Sequence, residues 1–127
     1  MNGEDFMNTT LWIVQSLLAL AFIAAGAMKL FAYEKYKTMS EKKGPTGLTR
    51  GLITFIGIAE LAGGLGVVLP MATNIAPSLS LWAAVGLSCI MLLAIRFHVR
   101  RHEPPVAPLI FFLLSIFVAF GRFSHWV

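Results

Sequence analysis

Four long apolar runs divide this chain, and each is continuous rather than alternating. They extend from Leu11 to about Phe31, from about Gly51 to Leu69, from about Pro77 to Phe97 and from about Val106 to Phe123. The hydrocarbon core of a bilayer is about 30 Å thick, so a helix rising about 1.5 Å per residue crosses it in about 20 residues. Lipid offers no partner for an open sheet edge, and a continuous apolar run fits a helix surrounded by lipid. The pattern predicts an all-α, integral membrane four-helix bundle, with residues 1–127 as a single domain. Pro70 is expected to end the second helix. Pro77 suits the first turn of the third. Pro104 and Pro105 precede the fourth, with Pro108 in its opening turn.

The connections between the runs differ in kind. Residues 32–50 carry Lys35, Lys37, Lys42, Lys43 and Arg50 around a Gly44-Pro45 break, which reads as a basic loop. Residues 71–76 carry no charge and predict a tight turn. Residues 98–105 carry Arg100 and Arg101, with Arg96 just inside the third run. Both basic connections fall at one end of an up-and-down bundle. The positive-inside rule puts that end in the cytoplasm and both termini outside. Trp12, Trp82 and Trp126 fall at the opposite, terminal end, where amphipathic rings favour the interface.

Composition agrees with lipid as the main solvent. Apolar residues make up 57% and charged residues 13%, against about 45–50% and about 25% in soluble domains. The net charge of +4 comes from the two basic connections, so it reads as topology and not as a phosphate-binding stripe, and no nucleic-acid partner is expected. Cys89 lies inside an apolar run and is expected to be a passive core thiol. The first run is too long for a signal h-region and follows Glu4 and Asp5, so no cleavable leader is expected.

Ionisable residues inside lipid are the candidates for chemistry, because each costs about 2.5–3.5 kcal/mol at the centre of a spanning helix. Glu60 is the deepest, about 15 Å from either end of its run. The stretch GIAELAGGLG puts Gly57, Glu60 and Gly64 on one face, and Ala21, Ala24, Ala25 and Gly26 give the first run small residues for close packing. Counting rises places Arg122 about 9 Å from Glu60 toward the terminal end and Lys29 about 12 Å toward the basic end. Arg122 is therefore the expected partner of Glu60, and Lys29 the alternative. Glu60, Arg122 and His98 are the candidate catalytic residues; Gln15, Lys29 and Trp82 are the candidate ligand contacts. His98 and His102 would share a face if the third helix continued past Phe97. Two ligands beside Arg100 and Arg101 are a poor cation site, so no metal is expected. His125 and Trp126 read as an interfacial pair. There is no nucleophile elbow, phosphate loop, CxxC or haem motif.

Three stretches carry a resemblance: GAMKL closing the first run, GIAELAGGLGVVLP across the second, and LWAAVGLSCIMLLAIRFHVRRHEPP through the third. With the closing AFGRF, they resemble the DoxX-like membrane family from about Leu17 to Phe123. The most specific parts are Glu-x-x-Gly-Gly ending in Leu-Pro, and the run Met91, Ala94, His98. The resemblance implies a four-helix membrane protein. It includes the membrane subunit of an archaeal thiosulfate:quinone oxidoreductase and proteins linked to quinone or thiol stress. It points to Lys29, Glu60, His98 and Arg122 as matching polar positions without giving them roles. With a single cysteine, thiol–disulfide exchange within the chain has no second partner.

Two functional readings compete. In the first, a lipophilic molecule of quinone or isoprenoid type binds between the helices of a membrane enzyme or redox subunit. Glu60 handles a proton or positions the ligand, and Arg122 or His98 binds a carbonyl or anionic group. A quinone enters through the resemblance alone. In the second, the buried polar residues only tie the helices of a non-catalytic scaffold or accessory subunit, with a soluble or membrane partner, or a second copy, docking on it. A transporter or channel is weaker, because four short helices need to oligomerise to form a pore.

Overall fold

The structure, a computed structural model, describes residues 2–42 and 44–126, the side chains of residues 125 and 126 excepted. Lys43 of the first basic connection and the expected His125–Trp126 pair lie outside the described residues and side chains. Five helices follow in order: α1 (Gly3–Phe31), α2 (Tyr33–Ser40), α3 (Arg50–Thr73), α4 (Leu79–Arg100) and α5 (Val106–Trp126). Among the described residues, four helices are long and apolar enough to cross a membrane: α1, α3, α4 and α5. Helix α1 packs on α3, α3 on α4, α4 on α5, and α5 back on α1, which closes a ring, while α2 rests on α1. The fold is an all-α membrane helical bundle.

Each long helix turns one stripe inward. In α4 the buried positions are Ser80, Ala84, the adjacent Leu87 and Ser88, and Met91, which recur every three or four residues as a helical face requires. Leu18 and Phe22 of α1, Val67 of α3, Leu87 of α4 and Val118 of α5 meet in the centre. The remaining apolar side chains point outward: Leu20, Phe55, Leu93 and Phe120 are among the exposed ones. Such a surface is unstable in water and stable in lipid. Cys89 belongs to it. The expectation of a core thiol fails because Cys89 sits one position off the buried stripe of α4 and is exposed.

Pro70 does not end the second spanning helix. Helix α3 passes through it to Thr73. Proline removes a single backbone donor, and lipid-embedded helices tolerate that loss. The stop comes from Asn74, whose φ of 58° is left-handed, a conformation asparagine accepts more readily than most residues. Pro77 lies in the turn that leads into α4, just before Leu79, where Ser80 N–H donates to the Pro77 carbonyl. Helix α2 lies where the hydropathy pattern predicts a plain loop. Its partly covered positions are Tyr33, Tyr36 and Ser40, at i, i+3 and i+7, and the residues between them are exposed. Gly44 and Gly47, with φ of 124° and 77°, then turn the chain toward α3.

Helices α1 and α3 meet backbone to backbone. A methyl group on Gly26 would lie 2.6 Å from the Gly57 carbonyl oxygen and 2.8 Å from the Leu61 nitrogen, both backbone atoms that cannot yield. Glycine at these two positions lets the backbones touch, which matters where lipid gives no hydrophobic drive to helix association.

Candidate functional site

The buried charged groups among the described residues, with Gln15, form two clusters at opposite ends of the α1–α3 seam, while the buried hydroxyls of Ser80, Ser88 and Ser115 stand apart on α4 and α5. At the basic end, Lys29 Nζ stands 2.6 Å from Glu60 Oε1, and their side chains are 13% and 5% exposed. The contact is short but not well aligned as a hydrogen bond, so it is an ion pair held by charge. The pairing follows from helix direction. A methyl on Gly57 would lie 3.0 Å from Lys29 Cβ, which sets Lys29 level with Gly57. Glu60 is then about 4.5 Å deeper, three residues further along α3. Side chains lean toward the N-terminus of their own helix. In an antiparallel pair Lys29 therefore leans into the membrane and Glu60 leans out of it, and the two converge.

The expected Glu60–Arg122 pairing is not formed. Gln15 Nε2 donates to the Val67 carbonyl at 2.6 Å, which puts Gln15 level with that turn of α3. Arg122 shares the level of Gln15, and Glu60 lies seven residues away, about 10 Å toward the basic end. Lys29 comes within reach of Glu60 because the Gly26–Gly57 contact, and not distance from the ends of the apolar runs, sets how α1 and α3 are staggered.

Tyr36 of α2 covers the basic-end pair, its ring centroid 4.9 Å from Lys29 Nζ, at cation–π distance. Its phenol is held above the usual tyrosine range, first by burial and then by the Glu60 carboxylate. Glu60, Lys29 and Tyr36 thus gather at the basic end, the ion pair between α1 and α3 and the ring of α2 over its amine.

At the terminal end, Arg122 is wholly buried, with 0% exposure. Its Nε donates to Gln15 Oε1 at 2.6 Å and one Nη donates to Asn8 Oδ1 at 2.8 Å. The guanidinium lies 5.7 Å from the Trp12 ring. Both acceptors are neutral. Gly121 allows the approach, since a methyl there would lie 2.6 Å from Leu11 Cδ2. The candidate ligand contact Trp82 is on the outer surface, 64% exposed, in an apolar groove with Val85, Ile116 and Phe120.

His98 belongs to neither cluster. Its Nδ1 is 3.6 Å from Glu103 Oε1, beyond hydrogen-bond reach, and the same oxygen lies 3.2 Å from Arg101 Nε. Arg101 also donates to the Gly44 carbonyl at 3.1 Å, which ties the two basic connections together. Helix α4 stops at Arg100 and His102 takes a φ of 58°, so His98 and His102 do not share a helical face.

Of the candidate residues, the fold brings together Glu60 with Lys29 and Arg122 with Gln15. It does not bring Glu60, Arg122 and His98 into one site. Asn8, Tyr36 and Glu103 were absent from the candidates. Asn8 had a signal, since it is seven residues before Gln15 and so on the same face of α1. Tyr36 and Glu103 had none, because their contacts depend on how the basic connections fold.

Among curated proteins and solved structures, none matches the chain at a significant level. The model of the DoxX-like family matches residues 13–120, a stretch that takes in Gln15, Lys29, Glu60 and His98 and stops short of Arg122. With its four spanning-length helices, this multi-pass membrane protein belongs to the DoxX-like family.

Proposed function

We propose that this protein binds a lipophilic molecule with a carbonyl head, of quinone or isoprenoid type, and serves as a membrane enzyme or redox subunit. The supporting observation is the buried Lys29–Glu60 pair under Tyr36. An ion pair is an expensive way to join two helices, since desolvation can exceed the attraction it gains. A cheaper tie already joins α1 and α3, the neutral Gln15–Val67 hydrogen bond. A charged pair with a tyrosine leading to the surface is suited to holding and releasing a proton. In this role Lys29 offers a donor to the ligand carbonyl, Glu60 carries the proton, and Tyr36 connects the pair to the basic face. That face is cytoplasmic, both termini are outside, and the four spanning helices act as one domain of the cell membrane.

The test is binding of a short-chain benzoquinone and its quinol to the purified protein and to Glu60→Gln and Lys29→Met. Each variant is expected to lose at least about tenfold in affinity, more than 1.4 kcal/mol, while still folding. A folded Glu60→Gln protein that binds as the wild type does would count against the proposal.

A second reading, a non-catalytic scaffold or accessory subunit, is favoured by the position of the pair beside the Gly26–Gly57 contact, where a tie would lock the seam. Either single variant then costs about 3 kcal/mol, because the remaining charge stays buried. The double variant recovers most of that loss, no quinone binds, and a stoichiometric partner subunit or second copy co-purifies.

A further inference from the structure

The terminal end of the bundle holds a second site, separate from the Lys29–Glu60 pair. A cleft of about 220 Å³ opens between the first turns of α1 and the last turns of α5, lined by Glu4, Met7, Asn8, Leu11, Arg122 and Ser124 among others. Arg122 is the buried cation of this cleft. Its Nε and one Nη are engaged by the neutral acceptors of Gln15 and Asn8. Its second Nη is buried and has no partner among the described residues. No carboxylate lies within 4.0 Å of the guanidinium among those residues. A full positive charge is thus held rigidly, out of water, with a donor to spare. Arginine in that state is a strong receptor for an oxyanion, because its planar fork matches carboxylate and phosphate oxygens.

Size and position narrow the ligand. The volume falls below the range of about 300–1,000 Å³ that encloses a drug-sized molecule, so the cleft takes a head and not a chain. Helix α1 has 29 residues, about 43 Å at its rise, against about 30 Å of hydrocarbon. Its first turns therefore stand at headgroup level, where Asn8 and Glu4 sit. Met7 and Leu11 supply apolar wall below the polar mouth.

We propose that this cleft binds the oxyanion head of a small anionic molecule, phosphate or carboxylate, with Arg122 as its counter-ion and Asn8 and Gln15 holding the guanidinium in place. A lipid headgroup and a free anion share this chemistry. Glu4 at the mouth repels the ligand and limits its affinity. The site does not depend on the Lys29–Glu60 reading, and either can fail without the other.

The experiment is native mass spectrometry of the full chain from detergent with added phosphatidylglycerol or diacylglycerol, and a second arm with inorganic phosphate. The wild type is expected to retain phosphatidylglycerol at least about tenfold better than diacylglycerol, which lacks the phosphate, or to bind inorganic phosphate and release the lipid. The first result assigns the lipid and the second a free anion. Arg122→Gln abolishes the preference. Ser124→Trp, which plugs the mouth and leaves the Arg122 bonds in place, abolishes it at an unchanged melting temperature. Glu4→Gln strengthens it. Equal retention of both lipids with no phosphate binding overturns the proposal, as does a preference that survives in folded Ser124→Trp protein.

Discussion

At the residue scale, the buried charges among the described residues are explained by what their side chains can reach across a helix seam. Lys29 meets Glu60 because the two lean toward each other from antiparallel helices. Arg122 meets Gln15 and Asn8 because those side chains share its level. Tyr36 reports on the first pair. Burial and the Glu60 carboxylate hold its phenol above the usual value of about 10. An acid whose folded pKa is raised keeps its stabilising effect below the unfolded pKa and loses it as pH rises through the folded one. In a Tyr33→Phe background, which leaves Tyr36 as the remaining tyrosine of the chain, absorbance titration should show ionisation above the free phenol. Glu60→Gln should lower that midpoint, yet leave it raised, since burial is the larger cause. An unmoved midpoint would show that Tyr36 does not sense Glu60.

At the element scale, glycine position decides how the helices approach. Gly26 and Gly63 look alike in sequence, each a small residue in an apolar run. A methyl on Gly26 meets backbone of α3, whereas one on Gly63 meets the tip of the Leu87 side chain at 2.6 Å. Backbone cannot yield, and a leucine can change rotamer. Gly26→Ala should therefore cost about 1–3 kcal/mol, the usual range for overpacking, and Gly63→Ala clearly less. Thermal unfolding in one detergent measures both, and an equal loss would refute the distinction. Helix α2 shows what the hydropathy pattern hid. Its Tyr33, Tyr36 and Ser40 spacing was present, but eight residues are too few to stand out against the charges around them. Helix α3 shows the reverse: Pro70 reads as a stop, while Asn74 makes it.

At the scale of the whole molecule, the ring is closed where Arg122 of α5 reaches Gln15 of α1, and Gln15 in turn holds α3 through Val67. The polar ends of this ring set a topology that can be checked. In a Cys89→Ser background, a cysteine at Ser40 should resist an impermeant thiol reagent added to intact cells, and one at Ser124 should react. The opposite pattern would reverse the proposed orientation. What the sequence by itself determined is the part written in one dimension. Run lengths dictate four spanning helices, because the bilayer has a fixed thickness. Basic connections dictate which ends lie together, and an acid in an apolar run must be buried and must find company. What tertiary structure alone decided is who that company is. The depth of a side chain depends on the stagger between helices, the stagger is set by the Gly26–Gly57 contact, and no count of residues within one run contains it. That contact gives Glu60 to Lys29 and leaves Arg122 at the other end with a donor to offer.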